Sequence, residues 1–153
     1  MSKSAIPEGY HSVTPSLTAR DAKAAIDFYT RALGAEVKFQ LDGPSGKVAH
    51  AEIQIGNSRI MISDEYPDYG AIAPEIGKGG AFMIYVPDVD AAFAKAVAAG
   101  ATGVQEPADM FWGDRTAKVN DPIGYRWTLA SHVKDVSQEE MQEAMKAWGE
   151  GNS

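Results

Sequence analysis

One pattern of punctuation occurs twice along this sequence, in the same order and at nearly constant separation. Asp21 and Asp88 each precede an apolar run at helical spacing, Gly34 and Gly100 each close that run, and Gly56 and Gly124 each mark a later hairpin. An Asp before a helix can accept hydrogen bonds from free N–H groups of the first turn, and Gly ends a helix where a left-handed residue is wanted. Three such landmarks recurring in order indicate a duplicated module. The sequence therefore predicts one α+β domain of two tandem βαβββ repeats, whose curved mixed sheets form a cup for a small molecule.

In the first repeat, residues 10–17 read as a strand interrupted by Pro15, which suits an edge or a bulge. Ala22, Ala25, Ile26, Tyr29 and Leu33 form the buried stripe of the following helix, with Lys23, Asp27 and Arg31 on its solvent side. Strands are predicted at 36–41, 48–55 and 59–63. In the second repeat, a strand at 81–86 leads to a helix with Val89, Phe93, Ala96 and Val97 on one face. Strands at 102–106, 115–120 and 126–131 follow, the last two joined by Asp121-Pro122-Ile123-Gly124, where Pro presets φ and Gly supplies φ > 0. The repeats span about 8–64 and 80–132, joined by a Pro- and Gly-rich loop at 65–79. A second irregular stretch, 107–114, carries Met110, Phe111 and Trp112. Ser137 followed by Glu140 is a capping-box pattern, so the tail at 133–153 is expected to be helical, with Met141, Ala144, Met145 and Trp148 on one face.

The chain of 153 residues has the size of one domain. A net charge of -7 opposes binding to a phosphate backbone or an anionic membrane, and the Lys and Arg residues are scattered rather than clustered. With no cysteine, thiolate nucleophiles, disulfides and zinc–sulfur sites are excluded. No stretch approaches the ~20 apolar residues of a membrane span, and residues 1–10 do not resemble a signal peptide. The expectation is a cytoplasmic protein with no nucleic-acid or membrane partner.

Several motifs resemble the vicinal oxygen chelate superfamily, the group of glyoxalase I, extradiol dioxygenases and bleomycin-resistance proteins. Asp21 to Gly34, with Ile26-Asp27-Phe28-Tyr29, resembles that superfamily's first helix; Pro87-Asp88-Val89-Asp90-Ala91 resembles the start of its second, and Asp121 to Gly124 its last hairpin. His50-Ala51-Glu52, the run Asp109-Met110-Phe111-Trp112-Gly113-Asp114-Arg115, and Trp127 through His132 followed by Asp135-Val136-Ser137 resemble its PhnB-like branch. Members of that branch are labelled glyoxalase-like or as a ubiquinone-pathway methyltransferase, but this chain has no Gly-rich loop of the kind that holds S-adenosylmethionine. The resemblance also implies a homodimer, in which paired modules complete the cups.

The superfamily's metal enzymes chelate a divalent ion with His, Gln and Glu from the first and last strands of each repeat. The matching positions here are near Thr14, Met61, Ala81 and Thr128, none a usual ligand for such an ion. A one-residue slip would turn the side chains to the other sheet face. No metal or other cofactor is therefore expected. A displaced divalent-metal site is the alternative, using His50 and Glu52 on one strand face, joined by Asp64, Glu65 or Asp114. The competing reading makes His50 a hydrogen-bonded sheet residue, Glu52 an ion-paired or solvated one, and Asp64-Glu65 a solvated loop start.

Alternation places Ala49, Ala51, Ile53, Ile55, Ile60 and Ile62 under the helices, leaving His50, Glu52, Gln54, Arg59, Met61 and Ser63 for the cup. Met83, Tyr85, Arg126 and Thr128 are expected to share it. The candidate ligand-binding residues are His50, Glu52, Arg59, Met61, Tyr85, Phe111, Trp112, Arg115 and Thr128. Phe111 and Trp112 would supply a stacking wall and Arg115 a grip on an anionic or carbonyl group. Equally, Trp112 can anchor a loop and Arg115 can pair with Asp114 or Asp109 at the surface. His11 and His132 are expected at the ends of outer strands. The functions compatible with these features are a metal-independent binder of a small organic molecule, a lyase, isomerase or dioxygenase with a displaced metal, and a protein-interaction module using the 65–79 loop and the tail. No catalytic residue is assigned.

Overall fold

The computed structural model describes residues 4–151; positions 152–153 of the expected tail lie outside them. The first repeat runs β1 (Ser16–Ala19), α1 (Ala22–Leu33), β2 (Glu36–Asp42), β3 (Val48–Ile55) and β4 (Ser58–Asp64). The second runs β5 (Ala81–Tyr85), α2 (Val89–Ala99), β6 (Thr102–Asp109), β7 (Asp114–Asn120) and β8 (Arg126–His132), and α3 (Gln138–Gly151) ends the described chain. Each repeat is a four-stranded mixed sheet, in order β1-β4-β3-β2 and β5-β8-β7-β6. In both, the first strand pairs parallel with the last, and the remaining pairs are antiparallel.

The predicted punctuation does the work assigned to it. Asp21 accepts from the Ala24 N–H at 3.0 Å, and Asp88 from the Ala91 N–H at 3.1 Å. Gly34 and Gly100 close the helices. Ala22, Ala25, Ile26 and Tyr29 are buried as expected, and Phe28 is buried beside them, while Leu33 is only partly covered. On α2, Val89 and Ala96 are buried but Val97 is 41% exposed, because Ala92 and Phe93 fill the space over the sheet instead. The larger apolar cluster runs through both halves, with α1 packed on α2, and a smaller one joins Val89, Ala117 and Leu129.

Three expectations need correction. The first strand begins at Ser16 rather than residue 10: Pro15 has no N–H to give, although its carbonyl still accepts from Met61 N–H at 2.9 Å. The irregular stretch 107–114 shrinks to a turn, because β6 continues through Pro107 to Asp109. Edge position and a register irregularity between Gln105 and Ala108 accommodate that proline. Asp64 is not a solvated loop start. It ends β4 with 8% exposure, accepting from Ala22 N–H at 2.8 Å and Val48 N–H at 2.6 Å, and so ties α1 and β3 together.

The 65–79 loop contains one short 3-10 turn (Pro67–Tyr69) and a bridge between Tyr66 and Ala71. It passes under the last hairpin, where a Cβ on Gly124 (φ +133°) would meet Pro74 Cγ at 2.6 Å and its carbonyl oxygen at 2.9 Å. Both space and backbone conformation require glycine there. Half of the predicted capping box forms: Ser137 Oγ accepts from Glu140 N–H at 3.1 Å, while the Glu140 carboxylate accepts from the Ser137 hydroxyl at 3.1 Å rather than from its backbone N–H. On α3, Met141 and Ala144 are half-buried, and Met145 and Trp148 are exposed. No helix of the described residues is long and apolar enough to cross a membrane.

Candidate functional site

Strand register decides which predicted residues share a surface. His50, Glu52 and Gln54 alternate along β3, with Met61 opposite Glu52 and Arg59 opposite Gln54 on β4. From β2, Phe39 stands opposite Glu52 and Leu41 opposite His50. His50 Nε2 is 3.5 Å from the Glu52 carboxylate, and the Phe39 ring centroid is 6.1 Å from that of His50. In the second repeat Thr128 stands between Met83 and Lys118, and Tyr85 is opposite Ala130. His50, Glu52, Arg59, Met61, Tyr85 and Thr128 thus all lie on sheet faces turned away from the helices. Phe39 and Leu41 join them. The strand alternation of 36–41 could have shown this, but bulges in β2 break it.

A cleft of about 580 Å³ lies between the two repeats, within the range of sites for drug-sized ligands. Its walls come from the segment before β1, the β3–β4 hairpin and β5 with the start of the following turn. Leu33, Ile60, Phe82, Ile84 and Trp127 make it apolar, and His11, Asn57, Ser58 and Arg59 give it a few polar groups. Of the predicted ligand residues, Arg59 and Tyr85 line it, together with Met83. Met83 and Tyr85 are 52% and 63% exposed on the outer strand of their sheet. His11 therefore belongs to the cleft rather than to a strand end.

Arg115 is placed elsewhere. It stands opposite Ser131, one residue out of phase with Thr116 and Ala130, so it lies on the helix side of the sheet. There its guanidinium donates twice to Asp90 of α2, at 2.7 and 2.9 Å, and once to Asp109 at 3.0 Å. These bonds, the Asp90 pair first, raise its pKa further above the ordinary arginine range and hold the Asp90 carboxyl below its usual value. Phe111 and Trp112 meet edge to face at 5.0 Å in the β6–β7 turn, outside the cleft, with Trp112 37% exposed. The two rings are neighbours in one turn, and neither belongs to the apolar core clusters or packs against them.

The carboxylates considered for a displaced metal are committed to other partners. Asp64 holds two backbone N–H groups, Glu65 accepts from Ala73 N–H at 3.0 Å, and Asp114 lies 3.0 Å from His132 Nδ1. Among the described residues no group of three His, Asp or Glu side chains is disposed to hold an ion. The superfamily's usual ligand positions offer two hydroxyls (Thr14, Thr128), one thioether (Met61) and a methyl group (Ala81). Ala81 is paired with Arg126, two residues from Thr128 on the same face. A donor set without imidazole or carboxylate does not fit a hard or borderline divalent ion.

His132 ends β8, an inner strand rather than an outer one. Its two ring nitrogens contact Asp135 at 2.7 Å and Asp114 at 3.0 Å, on opposite sides of the ring. The hydrogen bond with Asp135, then that with Asp114, raises its pKa. The Gly113 carbonyl accepts from Val133 and Lys134 N–H groups, drawing the tail over the β6–β7 turn. A Cβ on Gly113 (φ +103°) would stand 2.0 Å from the Lys134 carbonyl oxygen.

Comparison with known proteins agrees with this architecture. The family model described as Glyoxalase/Bleomycin resistance protein/Dioxygenase superfamily matches residues 10–129. An uncharacterized protein of Mycobacterium bovis is 38% identical over 145 residues, covering 92% of this chain and 95% of its own. One from Arabidopsis thaliana is 33% identical over 125 residues, covering 75% and 74%. Among solved structures, TioX from Micromonospora sp. ML1 superposes with a TM-score of 0.65 at 26% identity, over 80% of this chain and 99% of that one. A glyoxalase/bleomycin resistance protein/dioxygenase from Nocardioides has a TM-score of 0.63 at 19% identity, over 89% and 90%. The duplicated βαβββ architecture and a family match spanning both repeats establish that this chain belongs to the glyoxalase/bleomycin resistance protein/dioxygenase superfamily.

Proposed function

We propose that this chain is a PhnB-like member of its superfamily that binds a small organic molecule in the cleft between its repeats, without a metal at the usual chelating positions. The observation that carries this reading is the cleft itself: about 580 Å³, apolar walls, and a few polar groups at the β3–β4 hairpin and before β1. Such a lining captures an organic body by burial and orients it with a small number of hydrogen bonds. The chain is further proposed to act as a homodimer. β1 and β5 are each an outer strand of their sheet, and β5 presents Met83 and Tyr85 to solvent, a surface that a second copy would cover.

The test is a thermal-shift screen with hydrophobic antibiotics and 2-oxoaldehyde–thiol adducts, on the wild type and on Met83→Trp, which fills the cleft from its exposed wall. A ligand at a hundredfold excess over its Kd stabilises by about 2.7 kcal/mol, on the order of 5–10 °C in Tm for a chain of this size. The expected result is such a shift in the wild type and its loss in Met83→Trp. Elemental analysis of protein purified without chelators supplies the opposing outcome. A stoichiometric divalent ion that disappears in His50→Ala would replace this reading with a metal centre on His50 and Glu52, which already stand 3.5 Å apart.

A further inference from the structure

We infer that the molecule taken by the cleft carries an acidic group and that Arg59 receives it. This inference rests on the reading of the cleft as a small-molecule site and adds the chemical class of the ligand. Arg59 is part of the cleft wall. Unlike Arg31 and Arg115, which each grip a carboxylate, it makes no ion pair or hydrogen bond with any described residue, and its buried Nε has no protein acceptor. A guanidinium has five donors and no acceptor, so what it lacks is an acceptor-only group. A carboxylate, sulfonate or phosphate oxygen pair matches the fork of two N–H bonds.

The cation is held in place. The Tyr10 ring lies with its centroid 5.3 Å from the guanidinium carbon, at cation–π distance. The chain at Gly9 passes close enough that a Cβ there would be 3.2 Å from Nη2. The Tyr10 hydroxyl is itself buried without a protein partner, so two polar atoms with unmet hydrogen-bonding capacity occur on this one pair of residues. A side chain fixed against an aromatic ring loses little further freedom when it binds. The remainder of the cleft, with Leu33, Ile60, Phe82, Ile84 and Trp127, suits an aromatic or aliphatic body. The ligand class is therefore an amphipathic organic acid, with Arg59 as its anion contact and Tyr10 as the positioning residue.

Two fluorescent probes of similar shape separate the charge from the apolar body: 8-anilinonaphthalene-1-sulfonate, an anion, and N-phenyl-1-naphthylamine, which is neutral. Titration of the full chain is expected to show saturable binding of both, abolished by Met83→Trp, with the anion favoured about tenfold or more. Arg59→Met is expected to remove that preference and leave the neutral probe within about twofold, and Arg59→Lys to restore part of it. Should the Met variant not fold, Arg59→Gln removes the charge with less change in polarity. Tyr10→Phe, which keeps the ring, is expected to retain the preference, and Tyr10→Leu to reduce it. If both probes bind but Arg59→Met leaves the preference intact, the acid inference falls and the cleft reading stands. If neither probe binds, the cleft reading falls and takes the inference with it.

Discussion

Tyr29 on α1 donates its hydroxyl to Asp121 in the last hairpin, across 2.6 Å, with both residues buried. The same carboxylate oxygen also accepts from Trp127 Nε1–H at 2.8 Å, and the other oxygen accepts from the N–H groups of Ile123, Gly124 and Tyr125 at 2.8–2.9 Å. One carboxylate thus closes the β7–β8 turn and fastens the helix of the first repeat to the sheet of the second. Burial, and then the Asp121 charge, push the Tyr29 hydroxyl well above the ordinary tyrosine pKa, so it stays a donor throughout the working pH range.

Removing either partner has unequal consequences. Tyr29→Phe deletes one donor and leaves four others on the carboxylate, and is expected to cost about 1–3 kcal/mol. Asp121→Ala strands three backbone N–H groups, the indole and the phenol together, and is expected to cost about 4 kcal/mol or more. Urea denaturation of the two variants checks the order. Equal losses would mean that the link through Tyr29, not the turn, carries the energy.

His132 lies between two carboxylates, and both of its nitrogens can donate only when the ring is charged. Its pKa is raised by Asp135 and then Asp114 above the ordinary value near 6.5. A group with a raised folded pKa contributes stability that is fully present below its unfolded value and is lost as pH rises through the folded one. The link to the tail is therefore expected to be tightest in mildly acidic solution, above the range where the carboxylates protonate, and to loosen in alkaline solution. Hydrogen exchange at residues 133–137 is expected to quicken as pH rises above the ordinary histidine value of about 6.5, beyond its intrinsic pH dependence, and this extra dependence is expected to vanish in His132→Gln. An NMR titration placing the His132 pKa at or below 6.5 would contradict the mechanism.

The fold was legible because its signals are local: a cap, a stop and a hairpin glycine each act within a few residues, and duplication made them visible twice. The faces of β3 and β4 were legible for the same reason, since strict alternation of Ala51, Ile53 and Ile55 with His50, Glu52 and Gln54 survives in the structure. What could not be read depends on distant partners. Arg115 was assigned by its neighbours in sequence, yet its phase on β7 follows from where that strand begins, and its main partner Asp90 lies on α2. Tyr10 and Arg59 meet only because the segment before β1 runs along β4, and nothing in either local sequence marks the pair. Asp121 was legible as a turn residue, but not as the acceptor for Tyr29.

Placement on the helix side makes Arg115 a negative control for ligand binding. Its exposed pairs with Asp90 and Asp109 lie on the opposite sheet face from Thr128 and outside the cleft. Arg115→Gln is therefore expected to leave the affinities of both naphthalene probes within about twofold, in contrast to a tenfold loss for the anion in Arg59→Met. Because the Asp90 carboxyl is held below its usual value, whatever the pair contributes is present above about pH 4 and fades as acid protonates Asp90. The difference in Tm between wild type and Arg115→Gln is accordingly expected to narrow in acid. A drop in probe affinity in this variant would put Arg115 back among the ligand contacts.

The outer strand β5 makes the dimer testable without knowledge of the ligand. Met83 and Tyr85 project from a strand whose second edge pairs with no other strand of the described residues, and an apolar edge of that kind is an association surface unless something blocks it. Sedimentation at micromolar concentration is expected to give twice the 16.4 kDa chain mass. Tyr85→Asp places a charge on that edge and is expected to shift the equilibrium to monomer, raising the dissociation constant by about tenfold or more, because desolvating an unpaired carboxylate at an interface is costly. Phe111→Ser, in the β6–β7 turn and outside the cleft, serves as the control for loss of apolar surface elsewhere. A wild-type monomer across the whole range, or a dimer indifferent to Tyr85→Asp, would remove β5 from the interface and leave Met83 and Tyr85 as walls of the cleft alone.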